Sequence, residues 1–172
     1  MAAFATAFSK GDRVLFGLIN SRLHCKALDY CFGGITHLGS TAFVILVIVL
    51  LACLSPIVGE ALVLNLFVSQ LIIHSCKRII NRPRPYRTME CNLAYAPPQC
   101  VFSFPSGHSG AAFSSALVLS AFFPLWGPAL AALAMLIAFS RIYLGYHFVS
   151  DVGAGALIAW LTFNYFPFQI IF

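Results

Sequence analysis

A Ser-Gly-His triplet, Ser106 to His108, stands directly before a long apolar run in the stretch FSFPSGHSGAAFSS. Ser106 is a favourable N-cap residue, because its hydroxyl can accept a hydrogen bond from an unpaired amide of the first helical turn. The free amides at a helix N-terminus also attract anions, and Gly107 would let the backbone come close to a ligand. The triplet is therefore interpreted either as a capped helix with an incidental histidine or as part of an anion site.

His147 and Asp151 are four residues apart, so on a helix they would share one face. The carboxylate could then hold one ring nitrogen as N–H and leave the other as a free base. That free nitrogen could attack phosphorus and form a covalent phospho-histidine, while His108 on another helix protonates the leaving oxygen. A lone pair with this spacing is more often structural, so the interpretation depends on what surrounds it.

The surroundings contain three cations from separate segments, namely Lys77, Arg84 and Arg141. Together with a helix N-terminus they would form an anion site, and a phosphate, with its several oxygens, needs about that many donors. Ionisable residues at membrane depth mark a functional site by default. Three further arginines beside the first two cations are interpreted as a solvated basic rim: Arg78, Arg82 and Arg87.

The composition is that of a membrane protein. Of the 172 residues, 60% are hydrophobic and only 9% are charged, whereas about a quarter of the residues in an average soluble protein are charged. No Asp, Glu, Lys or Arg occurs over residues 91–140 or 152–172. Since one span needs about 20 apolar residues, several spans fit in the chain. The opening MAAFATAFSKGDR has its charges after the apolar stretch, so it is not expected to be a signal peptide.

The positions of proline and glycine predict an all-α, polytopic helical bundle with about five spans, over residues 34–54, 60–80, 107–124, 128–145 and 149 onward. Before them, residues 10–32 place apolar side chains at helical spacing among several charges, which is typical of an amphipathic helix lying in the membrane interface. A tilted sixth span is the alternative. The predicted division is an interfacial segment, 1–33, and one membrane domain, 34–172.

Short hairpin connections would bring the end of the second span and the end of the fourth to the same membrane face as the starts of the third and fifth. That face would collect all of the candidate residues described above. The opposite face, at the turns near Pro56 and Pro124, carries almost no charge. We therefore expect one site at one face of the membrane.

These residues resemble the three-part signature of the type 2 phosphatidic acid phosphatase (PAP2) superfamily. The matching parts are Lys77-x6-Arg84-Pro85, Pro105-Ser106-Gly107-His108 and Ser140-Arg141-x5-His147-x3-Asp151. The resemblance covers Lys77 to Asp151 without a departure, and the short loops are similar to those of small bacterial members. It implies a helical membrane fold and metal-independent, vanadate-sensitive removal of phosphate from a lipid. Undecaprenyl diphosphate and phosphatidylglycerophosphate are the favoured substrates that it implies.

The resemblance also implies a role for each matching residue. His147 would be the nucleophile, Asp151 its orienting partner and His108 the general acid. The residues that would hold the substrate phosphate are Lys77, Arg84, Ser106, Gly107 and Arg141.

The acidic residues independently favour chemistry without a metal or other cofactor. Two-metal phosphatases hold their ions with several carboxylates, but this chain has only five Asp and Glu residues. One of them, Asp151, belongs to the candidate site. Cations are therefore expected to stabilise the charge of the transferring phosphoryl group.

The sidedness of the site stays open at this point. The resemblance implies a bacterial inner-membrane protein whose site faces the periplasm, whereas the excess of Lys and Arg on the same face favours the cytoplasm. A disulfide between Cys91 and Cys100 would require an oxidising compartment; buried free thiols are the alternative.

The expected partners are a lipid phosphate and the bilayer, without nucleic acid, and the oligomeric state is left open. Lipid A phosphatase and lipid-to-lipid phosphotransferase are the alternative activities. A non-enzymatic anion transport protein is a remote third hypothesis, because it gives His147 and His108 no task.

Overall fold

The computed structural model describes residues 2–98 and 100–165, with side chains from residue 10 onward, and its regular elements over these ranges are helical. In chain order the helices are α1 (Ala2–Arg22), α2 (Lys26–His37), α3 (Thr41–Leu54), α4 (Pro56–Ile80), α5 (Pro85–Thr88), α6 (Gly107–Phe122), α7 (Gly127–Tyr143) and α8 (Val149–Tyr165). A 3-10 turn, Pro124–Trp126, precedes α7. The all-α prediction is confirmed for this part of the chain.

Two helical segments are long and apolar enough to cross a membrane. They are α4, with 25 residues and a mean hydropathy of 1.8, and Pro124–Tyr143, with 20 residues and 1.6. The pair α2 and α3, bent by 49°, would be a third if it forms one broken span. Helix α6 has 16 residues and α8 has 17 up to Tyr165; the predicted last span continues over residues 166–172, which lie outside the described residues.

The N-terminal helices differ from the prediction. Residues 10–32 were expected to form one helix and 34–54 a span, but the chain breaks after Arg22 and again between His37 and Thr41. The first break is held by α7, since the Cys25 amide donates to the Tyr143 hydroxyl oxygen over 3.1 Å. At the second, the Ser40 hydroxyl caps α3 by accepting from the Phe43 amide. Both breaks depend on capping or tertiary contacts that helical periodicity does not reveal.

The outer surface carries large apolar side chains over most of its length. Leu54, Phe67 and Leu125 are among the most exposed of them. A soluble monomer rarely exposes contiguous apolar area on this scale. The surface is therefore suited to contact with lipid.

Helix α6 occupies the centre of the bundle, where it packs against α4, α7 and α8. Its contact with α8 is close because Gly155 has no side chain: a Cβ there would lie 2.5 Å from the Ser106 carbonyl oxygen. This close approach lets the Ser106 amide donate to the Asp151 carbonyl over 2.9 Å. Glycine packing thus joins the starts of the two helices that carry His108 and Asp151.

We predict that Gly155→Ala lowers the free energy of unfolding by about 1–3 kcal/mol, as overpacking of a close contact does. Gly153→Ala is the matched control, because a Cβ at Gly153 on the same helix would meet no atom within 4 Å. The midpoint of thermal unfolding in detergent measures both. Equal midpoints for the two variants would contradict a close α6–α8 contact.

Candidate active site

His147 lies in the five-residue turn between α7 and α8, and it is buried. The amides of Tyr146 and His147 both donate to the Arg141 carbonyl, over 3.1 Å each, which fixes the turn to the end of α7. Gly145 adopts a positive φ of 81°, and a Cβ there would lie 2.9 Å from the Leu93 side chain. Glycine is therefore needed at this point for the backbone to turn His147 toward the bundle.

The structure brings His147 and Asp151 together. The His147 Nδ1 lies 3.5 Å from the Asp151 Oδ2, which also accepts a hydrogen bond from the Phe148 amide over 2.8 Å. Because Phe148 precedes the first residue of α8, Asp151 reaches back to cap its own helix, as in a capping box. The carboxylate is thus fixed in orientation beside one nitrogen of the ring.

The other nitrogen of His147 faces a cation. Arg84 Nη1 lies 3.1 Å from His147 Nε2, so the guanidinium can donate to the ring lone pair. Burial lowers the pKa of His147 well below 6.5, and the positive charges of Arg84, Arg141 and Lys77 lower it further. Near neutral pH the imidazole is therefore uncharged, as a nitrogen nucleophile must be.

The three predicted phosphate-binding cations are buried and held by neutral acceptors. Lys77, Arg84 and Arg141 are exposed by only 8%, 4% and 4%. Lys77 Nζ donates to the Phe102 and Ser103 carbonyls over 3.3 and 3.4 Å, and Arg84 donates to the Cys100 and Tyr146 carbonyls over 2.6 and 2.9 Å. Within the described ranges, no carboxylate lies within ion-pair distance of any of the three, so their positive charge is available to a ligand.

Arg141 is held by a residue that sequence reasoning did not single out. Its Nη1 donates to the Thr36 hydroxyl over 2.6 Å, and its guanidinium lies 4.6 Å from the centre of the Tyr146 ring. Its Nε is buried and makes no hydrogen bond to the described part of the protein. An arginine with an unused buried N–H can donate it to a bound anion.

The Ser106-Gly107-His108 triplet forms the start of α6, as predicted. The Ser106 hydroxyl accepts from the Ser109 amide and hydroxyl, so it caps the helix. A Cβ at Gly107 would meet only the Gln70 side chain, at 3.5 Å, which leaves the backbone accessible. His108 is half-buried, with its Cβ against Gly39, and it lies within electrostatic range of Arg141, His147 and Arg84.

The interpretation of Arg82 as part of a solvated rim is wrong. Its side chain is only 18% exposed and forms ion pairs with Asp151, over 2.7 Å, and with Asp12, over 2.8 Å. Arg78 and Arg87, by contrast, are exposed. Asp12 stands between Lys10 and Arg13 in the chain, so the sequence offers nearer cations than Arg82 and does not reveal this ion pair.

The remaining sequence hypotheses concern cysteines and metal ligands. Cys91 and Cys100 are free thiols in the structure, as are the other four cysteines. Within residues 2–98 and 100–165, no group of three or more His, Cys, Asp or Glu side chains is arranged to hold a metal ion.

A sequence model of the PAP2 superfamily matches residues 57–170, which is more than half of the chain and includes the whole cation and histidine cluster. The chain belongs to the PAP2 superfamily. The resemblance predicted from the three motifs is therefore confirmed.

Three curated relatives share about a third of their residues with this chain over the matched regions. Undecaprenyl-diphosphatase of Sulfolobus acidocaldarius is 29% identical over 62% of this chain and 52% of its own length. Phosphatidylglycerophosphatase B of Bacillus subtilis is 32% identical over 79% of this chain and 72% of its own length. Lipid A 1-phosphatase of Rhizobium johnstonii is 34% identical over 61% of this chain and 45% of its own length. The chain thus spans about half the length of two of these relatives.

Two solved structures share the fold over most of the chain. The crystal structure of LpxE from Aquifex aeolicus matches with a TM-score of 0.80 and 34% identity, and covers 87% of this chain and 90% of that one. The transmembrane PAP2-type phosphatidylglycerolphosphate phosphatase from Bacillus subtilis matches with a TM-score of 0.77 and 27% identity. This match covers 95% of the present chain and 85% of that one. These matches and the apolar helices indicate an integral membrane protein.

We predict that the His147 ring stays neutral at pH 6.5 and takes up a proton only at lower pH, because burial and the neighbouring cations lower its pKa. Nitrogen NMR of protein labelled with ¹⁵N-histidine measures this directly, and His147→Ala identifies the signal by its loss. A ring that is half protonated at pH 6.5 or above would contradict the electrostatic description of the site.

Proposed function

We propose that this protein is a metal-independent lipid phosphatase that removes a phosphate from a membrane lipid through a phospho-histidine intermediate. The observation that carries the proposal is the group of three buried cations without carboxylate partners beside a neutral histidine. A cluster of this kind is stabilised by a bound anion. Its position at the ends of apolar helices favours an anion whose tail stays in the bilayer.

In the proposed first step, Lys77, Arg84, Arg141 and the start of α6 bind the phosphate oxygens. One of these oxygens competes for the Arg84 N–H that lies 3.1 Å from His147 Nε2 and so frees the ring lone pair. The negative charge of the bound phosphate offsets the charges of Lys77, Arg84 and Arg141, so that His108 can carry a proton while the substrate is bound. Nε2 then attacks phosphorus, the bond from phosphorus to the lipid oxygen breaks, and His108 gives that oxygen its proton. Asp151 stabilises the positive charge that develops on the ring, across the 3.5 Å to Nδ1.

In the second step, water replaces the histidine. His108, now neutral, takes a proton from the water as its oxygen bonds to phosphorus and the phosphorus–nitrogen bond breaks. His147 and inorganic phosphate are released, and His108 again carries the proton it began with. The cycle is balanced and needs no metal or other co-reactant.

The favoured substrates are undecaprenyl diphosphate and phosphatidylglycerophosphate. The names of two relatives support them, and the short connections of this chain leave little protein to hold a large sugar head. Lipid A is the alternative, supported by the Rhizobium johnstonii relative at 34% identity. Transfer of the phosphoryl group to a second lipid would use the same first step.

We expect the wild-type protein in detergent to release phosphate from undecaprenyl diphosphate with EDTA present, while His147→Ala lowers kcat by roughly 10³-fold or more, as loss of a nucleophile does. Release of inorganic phosphate measures both. Phosphatidylglycerophosphate, phosphatidic acid and lipid A are tested in parallel.

Each other outcome has a different meaning. Equal release by both proteins, with contaminating phosphatase excluded, would contradict the role of His147. Inactivity on every lipid would contradict the phosphatase assignment, and release that requires an added acceptor lipid would indicate a phosphotransferase. An anion transport protein would keep its function in His147→Ala.

The membrane arrangement is part of the same proposal. The five proposed spans are residues 34–54, which comprise the end of α2 and all of α3, and helices α4, α6, α7 and α8. Residues 1–33 are the proposed interfacial segment and 34–172 the phosphatase domain. The site would face the periplasm from a bacterial inner membrane. Cys100 is exposed beside the site, whereas the turn at Ser55 lies at the other end of α4.

We therefore expect a membrane-impermeant maleimide to label a single-cysteine Cys100 protein in intact cells. A cysteine-free protein carrying Ser55→Cys should be labelled only after the membrane is permeabilised. The reverse pattern would place the site in the cytoplasm, in agreement with the charge distribution. Labelling of total membranes checks that both cysteines react when they are accessible.

A further inference from the structure

Asp12, in the N-terminal helix α1, is joined to the start of α8. Its side chain is 6% exposed. Oδ1 accepts from the Ser150 amide over 3.0 Å, and Oδ2 accepts from the Ser150 hydroxyl and from Arg82 Nη2, the latter over 2.8 Å. Because Ser150 is in the first turn of α8, Asp12 satisfies an amide that has no partner within the helix. A carboxylate at a helix N-terminus is also stabilised by the helix dipole.

Arg82 connects this carboxylate to the catalytic pair. Its Nη1 donates to Asp151 Oδ1 and to the Ser150 hydroxyl, over 2.7 Å each. Its guanidinium lies 4.2 Å from the centre of the Phe148 ring, which in turn packs edge-on against Phe16 of α1 at 5.6 Å. The planar group is therefore fixed on one face by an aromatic ring and at both of its ends by carboxylates.

These contacts leave Asp151 little freedom. Arg82 occupies its Oδ1 and the Phe148 amide occupies its Oδ2, so the carboxylate plane is set and Oδ2 faces His147 Nδ1. Arg82 in turn divides its charge between two carboxylates. Without Asp12 it would pair with Asp151 alone, and that carboxylate would have less negative charge available for the histidine.

We propose that Asp12, acting through Arg82, positions Asp151 against His147 and so sets the reactivity of the nucleophile. Asp12 and Arg82 are positioning residues; neither touches the reacting atoms. The inference rests on the proposed phosphatase function for its effect on rate. The N-terminal helix, which the sequence alone predicted to be part of an interfacial segment, then belongs to the catalytic apparatus.

The test compares Asp12→Asn with Asn20→Ala. Asn20 is a buried residue on the same helix that ties α1 to the bundle, because its Nδ2 donates to the Asn92 and Tyr143 carbonyls over 2.9 and 2.7 Å. Asp12→Asn has nearly the same volume as the natural residue, but it removes the charge and replaces one of the two acceptor oxygens that Ser150 and Arg82 use with an NH2 donor. Both variants loosen α1, but only the first disturbs Arg82 and Asp151.

We expect Asp12→Asn to lower kcat by about 10-fold to 100-fold, because a small misplacement of a catalytic group costs up to about 100-fold, and to change KM by less than about threefold. Asn20→Ala should lower the midpoint of thermal unfolding by at least as much as Asp12→Asn lowers it. It should nevertheless change kcat by less than about twofold. The ¹⁵N-histidine signal of His147 should shift from the Nδ1–H form toward a mixture of tautomers in Asp12→Asn and stay unchanged in Asn20→Ala.

Three results would decide against this inference or separate it from the proposed function. Equal losses of kcat in the two variants, with the His147 signal unchanged, would mean that Asp12 only holds α1 in place. An unchanged kcat in Asp12→Asn would also overturn the inference. The wild type could also be inactive on every lipid while the His147 signal of Asp12→Asn, but not that of Asn20→Ala, differs from the wild-type signal. In that case the positioning role stands and the proposed function fails.

Discussion

The structure depends on keeping three buried cations close together without neutralising them. Like charges in a medium of low dielectric repel one another strongly, and each also loses its hydration. Carboxylates would relieve both costs, but they would also use up the charge that a phosphate needs. The protein instead surrounds Lys77 and Arg84 with backbone carbonyls and gives Arg141 the hydroxyl of Thr36. These acceptors solvate the cations and leave their net charge in place.

This constraint gives the connecting segments their roles. The chain between α5 and α6 supplies the carbonyls of Cys100, Phe102 and Ser103, and the turn between α7 and α8 supplies that of Tyr146. The carboxylates of Asp12 and Asp151 both pair with Arg82. With Lys77, Arg84 and Arg141 included, these six side chains have two positive charges in excess. A phosphate dianion would balance that excess. The resting site is therefore electrostatically incomplete, which favours the binding of a doubly charged head group.

The sequence predicted the residues that define the site better than those that orient them. The spacing of Lys77, His108 and His147 could be interpreted because each lies at or beside the end of an apolar helix, near a proline or glycine that marks where the helix begins or ends. Arg82 was misjudged because its two partners are 70 and 69 positions away in the chain, so no local pattern connects them. The break at Cys25 is set by Tyr143, more than a hundred residues later. Contacts of this kind exist only once the helices have packed.

The same packing limits where substrate selectivity can reside. The segment between α5 and α6 already uses its backbone carbonyls on the cations, so a change in its backbone path would move these acceptors along with any contact to the head group. The starts of α6 and α8 are fixed by Gly155 and by the bond between Ser106 and Asp151. Helix α2 is less constrained: Thr36 reaches Arg141, while His37 beside it is exposed and lies within electrostatic range of His108. A substitution at Thr36 would remove an acceptor of Arg141, whereas a substitution at His37 would leave the contacts of the three cations in place, so head-group preference is most readily altered at such exposed positions of α2.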